Sequence, residues 1–388
     1  LPTGFLASGV NCGVRRYRPD LGLVISEQPA VAAGVFTQST CQAAPVRYCQ
    51  KLLPADNIRA IITNSGQANA ATGPQGDIDN QTMVDAVAAQ LNCQPDQVLS
   101  ASTGVIGDAM EIDKITAAMP ELCRNTSDIA EKFALAVMTT DLVPKAVMKK
   151  VQLSQGEICI TGVAKGSGMI HPNMATMLGY LLTDVQLDCD QASALLKQVT
   201  DNSFNMISVD GDTSTNDTVF LMANGASGCA LATEADQQLF GEALQQVTVL
   251  LAKSIARDGE GATKLIEVQV THAPTLAMAR QVARGLTLSP LIKTAIYGES
   301  PNWGRFIGRL GAEQVPAEIL QKVSLKFQGM TLFAADQAQD VDPDKLKALM
   351  KQDTVVLEVD MHDGDNSATA WGCDLSERYV KINAEYVT

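Results

Sequence analysis

The stretch TGVAKGSGMIHPNMATMLGYLLTDV, residues 161–185, decides how this chain is read. A short apolar run ending in it, Cys159 to Ala164, has the composition of a buried strand. The chain then loosens through Lys165-Gly166-Ser167-Gly168, passes Pro172-Asn173, and enters a second apolar run from Met177 to Val185. Two strands joined by a polar Gly/Pro-containing turn form a hairpin, with His171 to Thr176 left at a strand edge where backbone can be exposed and strained. At the mouth of the second strand stands Ala175-Thr176. If that peptide bond is cut, Thr176 carries a hydroxyl and a free α-amine on adjacent carbons. The amine, with a pKa near ~8, can take the hydroxyl proton close to neutral pH, so the residue is nucleophile and base in one. The plainer reading is a buried hairpin whose threonine satisfies a backbone group.

Outward from this turn, the chain alternates between strand and helix patterns. Leu21 to Ser26, Ala30 to Thr37 and Arg59 to Thr63 read as strands. Asp77 to Leu91 has Met83, Val84, Val87 and Leu91 at helical spacing. Val98 to Ser102 is a strand running into Thr103-Gly104, and Ile129 to Met138 is a helix ending before Thr139-Thr140-Asp141. Asp190 is placed to cap a helix through Val199. Met206 to Val209 and Thr218 to Met222 read as paired strands around a polar loop, Asp210 to Asp217. Thr233 caps a long amphipathic helix to about Arg257, and Ile266 to Thr271 returns as a strand. Beyond about residue 275 the rhythm changes. A helix falls around Leu276 to Ala283, and a hairpin spans Ser324 to Phe333, turning at Gln328-Gly329. Asp342-Pro343 caps a helix through Met350, and Val355 to Asp360 pairs with Ala368 to Cys373 across Asp363-Gly364. The domain boundary is placed near residue 275, with no linker or repeat to mark it. The expected fold is α/β, with stacked sheets covered by helices.

Composition bounds the function. The 388 residues suffice for a large core and two or three domains. Apolar residues make up 46% but aromatics only 4%, so that core is aliphatic. A net charge of −14 argues against nucleic acid or an anionic membrane as partner and favours a small substrate. No apolar run approaches the ~18 residues of a membrane span. Nine scattered cysteines, an odd number without a CxxC pair, suit buried thiols in a reducing cytoplasm better than disulfides or a zinc site. The chain opens at Leu1 rather than Met, which leaves open whether a few residues or a short targeting segment precede it.

Several polar motifs are ambiguous when read alone. Thr103-Gly104 is a turn with a threonine cap or a backbone donor site. Lys165 is a loop lysine or part of a phosphate cradle, but the strand–GxxxxGK–helix order of a P-loop is missing. Glu260, in DGEGATK, reads as a carboxylate at a helix end. Asp210-Gly211-Asp212 lacks EF-hand spacing and its terminal Glu, so a structural polar loop is expected there and no metal. Asn302-Trp303-Gly304-Arg305 reads as a turn or part of a pocket wall.

KGSGMIHPNMATML resembles the cleavage and nucleophile motif of the ornithine acetyltransferases, the bifunctional glutamate N-acetyltransferases of arginine biosynthesis. The likeness extends through ASTGVIG (101–107), MTTD (138–141), DGEGATKLIEV (258–268), KTAIYGESPNWGR (293–305) and the terminal NAEYVT, in order along the chain. The resemblance implies an α/β/β/α sandwich with a smaller C-terminal α/β domain. It implies self-cleavage between Ala175 and Thr176 into an α chain (1–175) and a β chain, the latter divided into 176–275, which completes the sandwich, and 276–388. The pair would assemble as α2β2 or higher. It further implies that the Thr176 hydroxyl attacks the Ala175 carbonyl in the precursor, then the acetyl carbonyl of N-acetylornithine, and that glutamate collects the acetyl group. Thr103 and Gly104 would form the oxyanion hole. Thr139, Lys165, Thr176, Glu260, Asn383 and Thr388 would bind substrate, the last two requiring a C-terminus folded back to the site. No His base is needed, which suits a chain with only His171, His272 and His362. No cofactor is implied, and acetyl-CoA stands open as a second acetyl donor. The family usually continues TTDT where this chain has Leu142. A self-processing amidase or aminopeptidase of the same broad fold is the alternative.

Overall fold

The two apolar runs of the central stretch do pair, but inside a larger assembly. In this computed structural model, which describes residues 1–171 and 177–385, the first nine strands are β1 (Phe5–Val10), β2 (Leu21–Phe36), β3 (Ala55–Gln67), β4 (Val98–Val105), β5 (Lys145–Leu153), β6 (Gly156–Lys165), β7 (Leu178–Thr183), β8 (Ile207–Ser208) and β9 (Thr218–Ala223). β6 and β7 are antiparallel, with Thr161 opposite Leu182 and Lys165 opposite Leu178. All but β8 share one hydrogen-bonded path, β4-β3-β2-β9-β7-β6-β5, with β1 on β2.

That path is folded over on itself, and β2 is the fold line. The two strands expected at Leu21–Ser26 and Ala30–Thr37 are one 16-residue strand whose register breaks between Ile25 and Ala30. Glu27, Gln28 and Pro29 are exposed at the break, where proline's missing N–H interrupts the ladder. The first half of β2 pairs with β1 and β3; the second pairs with β9 and keeps only Ala30 and Ala32 opposite β3. The two halves of the sheet therefore stack. Val24, Ile61 and Leu99 from one half meet Tyr180, Leu182, Phe220 and Met222 from the other, and the Thr63 and Tyr180 hydroxyls join across the seam at 2.8 Å.

Alternation along the strands supplies the outer faces. Leu21, Leu23, Ile62 and Val98 face away from the seam and are covered by Met83, Val84 and Val87 of the helix Gly73–Leu91 and by Met119 and Leu122 of the helix Ile112–Arg124. On the far side Ile160, Leu181 and Leu221 pack under the helices Cys189–Asp201 and Glu234–Arg257. The result is the expected α/β/β/α sandwich. The long helix starts where the sequence places it, with Thr233 Oγ1 accepting from the Asp236 amide and Asp236 reaching back to the Thr233 amide. The helix before it is capped by Asp188, not Asp190, because Gln191 three residues on completes a capping box there.

The remaining strands are β10 (Leu265–Ala273), β11 (Ser324–Phe327), β12 (Met330–Ala334), β13 (Gln337–Ala338), β14 (Thr354–Asp360) and β15 (Asn366–Cys373), forming with β8 a second sheet in the order β13-β12-β11-β14-β10-β15-β8. Two expectations change here. β14 and β15 are not a hairpin: β10 lies between them, parallel to β14 and antiparallel to β15. Its buried Ile266, Val268 and Val270 gain two ladders at the centre of the sheet. Nor do residues 206–209 pair with 218–222. β8 joins β15 in the second sheet while β9 stays in the first, so the polar loop between them carries the chain from one sheet to the other. The β11–β12 turn at Gln328-Gly329 is as read, with both residues at positive φ. The helix expected around Leu276 to Ala283 runs on to Leu288. No described helix is long and apolar enough to cross a membrane.

Candidate active site

The ends of β4 and β6 meet at one edge of the sandwich, and loops from the rest of the chain close over them. A cavity of about 160 Å³ there is lined by Thr103, Gly104, Thr139, Lys165, Glu260 and Asn383, with Asn216 and Ser214 beside them. All six residues singled out from the sequence that fall within the described residues are thus brought together. Ala175, Thr176 and Thr388 lie outside the described residues.

β4 delivers Thr103 and Gly104 because it runs parallel to β3 in register with Ser65 and Gly66. Gly104 has φ +132, and a Cβ there would sit 2.2–2.3 Å from the Gly66 carbonyl. Only glycine permits this approach of the two backbones. Asn216 donates to the Ser102 carbonyl at 2.8 Å, fixing the same strand end from the sheet-crossing loop.

Lys165 ends β6 with its ammonium buried. It donates to Thr103 Oγ1 at 3.3 Å. Burial lowers its pKa, while Asp141, Asp217 and Glu260 pull the other way. Because Lys165 occupies a lone pair of Thr103, the hydroxyl proton is left to be donated elsewhere.

Beneath this cation lies a buried ion cluster that the sequence does not announce. Lys145 contacts Asp141 Oδ1 at 2.7 Å and Asp258 Oδ2 at 2.6 Å. Asp141 also accepts from the Gly166 and Thr139 amides. Burial alone would raise the Asp141 carboxyl, but Lys165 and Lys145 together hold it below the usual carboxylate range. Leu142, the departure from the usual motif, donates its backbone N–H to Asp258 Oδ2 at 3.0 Å, and its side chain is 72% exposed.

Glu260 stands in the turn after the helix Glu234–Arg257. Its amide donates to the Ser167 carbonyl at 2.9 Å, and a Cβ on Gly168 would collide with its carboxylate at 2.4–2.6 Å. Asn383, on the last helix Glu377–Glu385, donates to Glu260 Oε2 at 2.8 Å, so the C-terminal helix does reach this edge.

The segment leading from β6 is tied down residue by residue. Ser167 Oγ donates to the Asp258 carbonyl, the Met169 and Ile170 amides donate to Asp210 at 2.6 and 2.8 Å, and His171 lies between Ser208 (3.1 Å) and Arg284 (3.0 Å). Asp210 thus clamps the segment leading from β6. On the other side the Met177 carbonyl accepts from the Thr218 amide at 3.2 Å. Next to it, Asp217 is fully buried, with the backbone N–H group of Met177 turned toward its carboxylate. Burial pushes its pKa well above the usual carboxylate range, against the Met177 backbone N–H and the pull of Lys165. Sequence reading took Asp210-Gly211-Asp212 as a structural polar loop and gave Ser214, Asn216 and Asp217 no role. The loop's run of polar residues abutting a fully apolar strand is the signal that Ser214, Asn216 and Asp217 serve a buried polar site. Trp303 packs against Phe333 and Arg305 donates to Thr294 and the Leu291 carbonyl, away from the cavity lining.

A stacked-sheet sandwich with a small cavity at its strand ends, lined by a buried lysine, a threonine hydroxyl and a carboxylate, has the form of an enzyme site. The chain belongs to the ArgJ family, whose model matches residues 6–388, and is an acyltransferase of arginine biosynthesis. It is 45% identical over 390 residues to the arginine biosynthesis bifunctional protein ArgJ of Oceanobacillus iheyensis, covering 100% of this chain and 95% of that one. Its identity to the protein of the same name from Thermotoga neapolitana is 45% over 399 residues, covering 100% of both. Among solved structures, ArgJ from Bacillus halodurans matches with a TM-score of 0.51 at 40% identity, covering 53% of this chain and 98% of that chain.

Proposed function

We propose that this chain transfers the acetyl group of N2-acetylornithine to glutamate by a ping-pong mechanism, after cutting itself between Ala175 and Thr176. The observation that carries the reading is the convergence of Thr103, Gly104, Lys165, Glu260 and Asn383 on one cavity, at the edge where β7 begins two residues after Thr176. In the precursor, the Thr176 hydroxyl attacks the Ala175 carbonyl and the peptide becomes an ester. Water opens the ester, leaving a carboxylate on Ala175 and a free amine on Thr176. In turnover that amine takes the hydroxyl proton as Oγ attacks the acetyl carbonyl. Thr103 Oγ–H and Gly104 N–H donate to the oxyanion, a contribution of about 3 kcal/mol per donor. The collapsing intermediate expels ornithine with the proton, and the glutamate amine then takes the acetyl group from Thr176.

The chemistry of the cavity fits both substrates. Lys165 suits an α-carboxylate. Asn383 occupies one oxygen of Glu260 and leaves the other to meet the side-chain ammonium of ornithine. Thr139 and the terminal Thr388 complete the polar lining in this reading. A solved relative whose chain spans about half of this one accords with a cut near the middle. The word bifunctional in the relatives' name favours acetyl-CoA as a second acetyl donor, and the cut chains would pair as α2β2 or higher. A self-processing amidase would use the same first step with water as acceptor.

Intact mass spectrometry of the purified protein with N-acetylornithine is the test. The reading requires two chains split at Ala175/Thr176, an acetyl adduct on the second, and its loss on adding glutamate. Thr176→Ala should give one intact, inactive chain. A single uncut chain that still transfers acetyl groups would overturn the mechanism, and net hydrolysis without glutamate dependence would favour the amidase.

A further inference from the structure

Two of the chain's three histidines meet far from the cavity, at the C-terminal ends of the parallel strands β10 and β14. His272 Nδ1 lies 2.9 Å from Asp360 Oδ1, and His362 Nδ1 lies 3.2 Å from the same oxygen. The three ligand-type atoms are all within 4.8 Å of one another, and the two imidazole rings are nearly parallel at an interplanar angle of 7°. Both histidines hold left-handed backbone, with φ 50° each, an uncommon conformation that costs energy outside glycine. The parallel register places them together: Thr271 is opposite Asp360, so the residues leaving the two strands emerge side by side.

We propose that His272, Asp360 and His362 form a binding site for a divalent transition-metal ion of the zinc type, with water completing the shell. Ligand atoms around a tetrahedral zinc with bonds of ~2.0–2.1 Å stand roughly 3.3 Å apart, close to the two separations observed. The electron pairs argue the same way. Asp360 Oδ1 already accepts the His362 backbone N–H at 3.0 Å, and a carboxylate oxygen can only accept. His362 Nε2 is 2.9 Å from Ser324 Oγ. In the tautomer in which Nε2–H donates to the Ser324 hydroxyl, the Nδ1 lone pair faces the carboxylate and is available to a cation held between them. A metal-bound histidine usually donates its outer N–H to an oxygen acceptor, the place the Ser324 hydroxyl takes here. Imidazole nitrogens select zinc, nickel or copper over calcium or magnesium. The neighbouring groove, lined by Gln269, Thr271, Lys326 and Glu358, leaves the open position accessible to solvent. The sequence gives no metal motif because the ligands come from two strands about ninety residues apart; only the parallel pairing of β10 with β14 joins them. A bound ion would tie β10, β14 and, through Ser324, β11 into one unit.

The test is calorimetric titration of EDTA-stripped full-length protein with zinc chloride, beside a His272→Ala/His362→Ala variant and the single variant Asp360→Asn. The wild type should take up one zinc per chain with a Kd on the order of micromolar and unfold at higher temperature with zinc present. The double variant should bind at least tenfold more weakly and lose the thermal shift. Acetyl transfer, which uses none of these residues, should be unchanged in every variant and reports that each is folded. Equal zinc uptake by wild type and double variant would place the metal on other groups, such as the thiols, and overturn the assignment. So would no uptake by the wild type at about 100 µM zinc.

Discussion

Placing a buried ammonium and a half-buried carboxylate on the wall of one small cavity makes the identity of each side chain matter more than its size. Lys165 is surrounded by Asp141, Asp217 and Glu260, and these offset its desolvation only in part. Glu260 is the acid whose oxygen remains open to the cavity, since Asn383 holds only Oε2. Glu260→Gln keeps the shape and the Asn383 contact but removes the charge. Losing a charge-assisted contact of about 1.5–3 kcal/mol should raise the KM for N-acetylornithine roughly 10- to 100-fold, while kcat changes less and cleavage at Ala175/Thr176 proceeds. Steady-state kinetics beside a denaturing gel check this. Equal loss of cleavage and binding would remove Glu260 from the substrate contact. Read alone, Thr103, Lys165 and Glu260 are ambiguous; they are legible in the sequence because the motifs carrying them resemble those of a known family in order along the chain. Asp217 and Lys145 are not, since a polar loop residue and a strand-starting lysine carry no mark of burial.

At the scale of elements, the cavity depends on how β6, the loop 139–145 and the helix Glu234–Arg257 are locked together. The Asp141–Lys145–Asp258 cluster is the lock, with side chains 0%, 1% and 7% exposed. Lys145→Met would leave two buried carboxylates near one another with only Lys165 close by. Removing one partner from such a cluster typically costs about 3–5 kcal/mol, so the urea midpoint should fall by a corresponding amount with the unfolding slope unchanged. A midpoint within error of the wild type would mean that the cluster contributes nothing net. The same scale shows where periodicity misleads. Apolar alternation marks β14 and β15 as strands and their short connection suggests a hairpin, yet β10 takes the place between them. Alternation fixes which face of a strand is buried, and says nothing about which strand lies beside it.

Across the whole molecule, His171 stands where the sandwich meets the second sheet, held by Ser208 on β8 and by Arg284 on the helix Leu276–Leu288. Burial and the Arg284 charge lower its pKa from 6.5 to about 4, with Asp212 opposing. The unfolded chain therefore binds this proton below about pH 6.5 and the native one only near 4. Stability from this group is present above pH 6.5 and is lost as pH falls through the interval down to 4. His171→Gln should flatten the decline of Tm across that window relative to wild type; parallel Tm curves would show that the ring does not report on the junction. Composition and the paired runs around residues 166–177 were enough for an aliphatic α/β protein, and the resemblance carried by the ordered motifs supplied its class of chemistry and most of the residues in its cavity. These depend on local pattern and residue identity. The single bent β2, the insertion of β10, the crossing loop that brings Asn216 and Asp217 inside and the meeting of His272 with His362 were decided only in three dimensions. Each depends on contacts between residues remote in the chain, whose cost in loop entropy is met by burial that no local window contains.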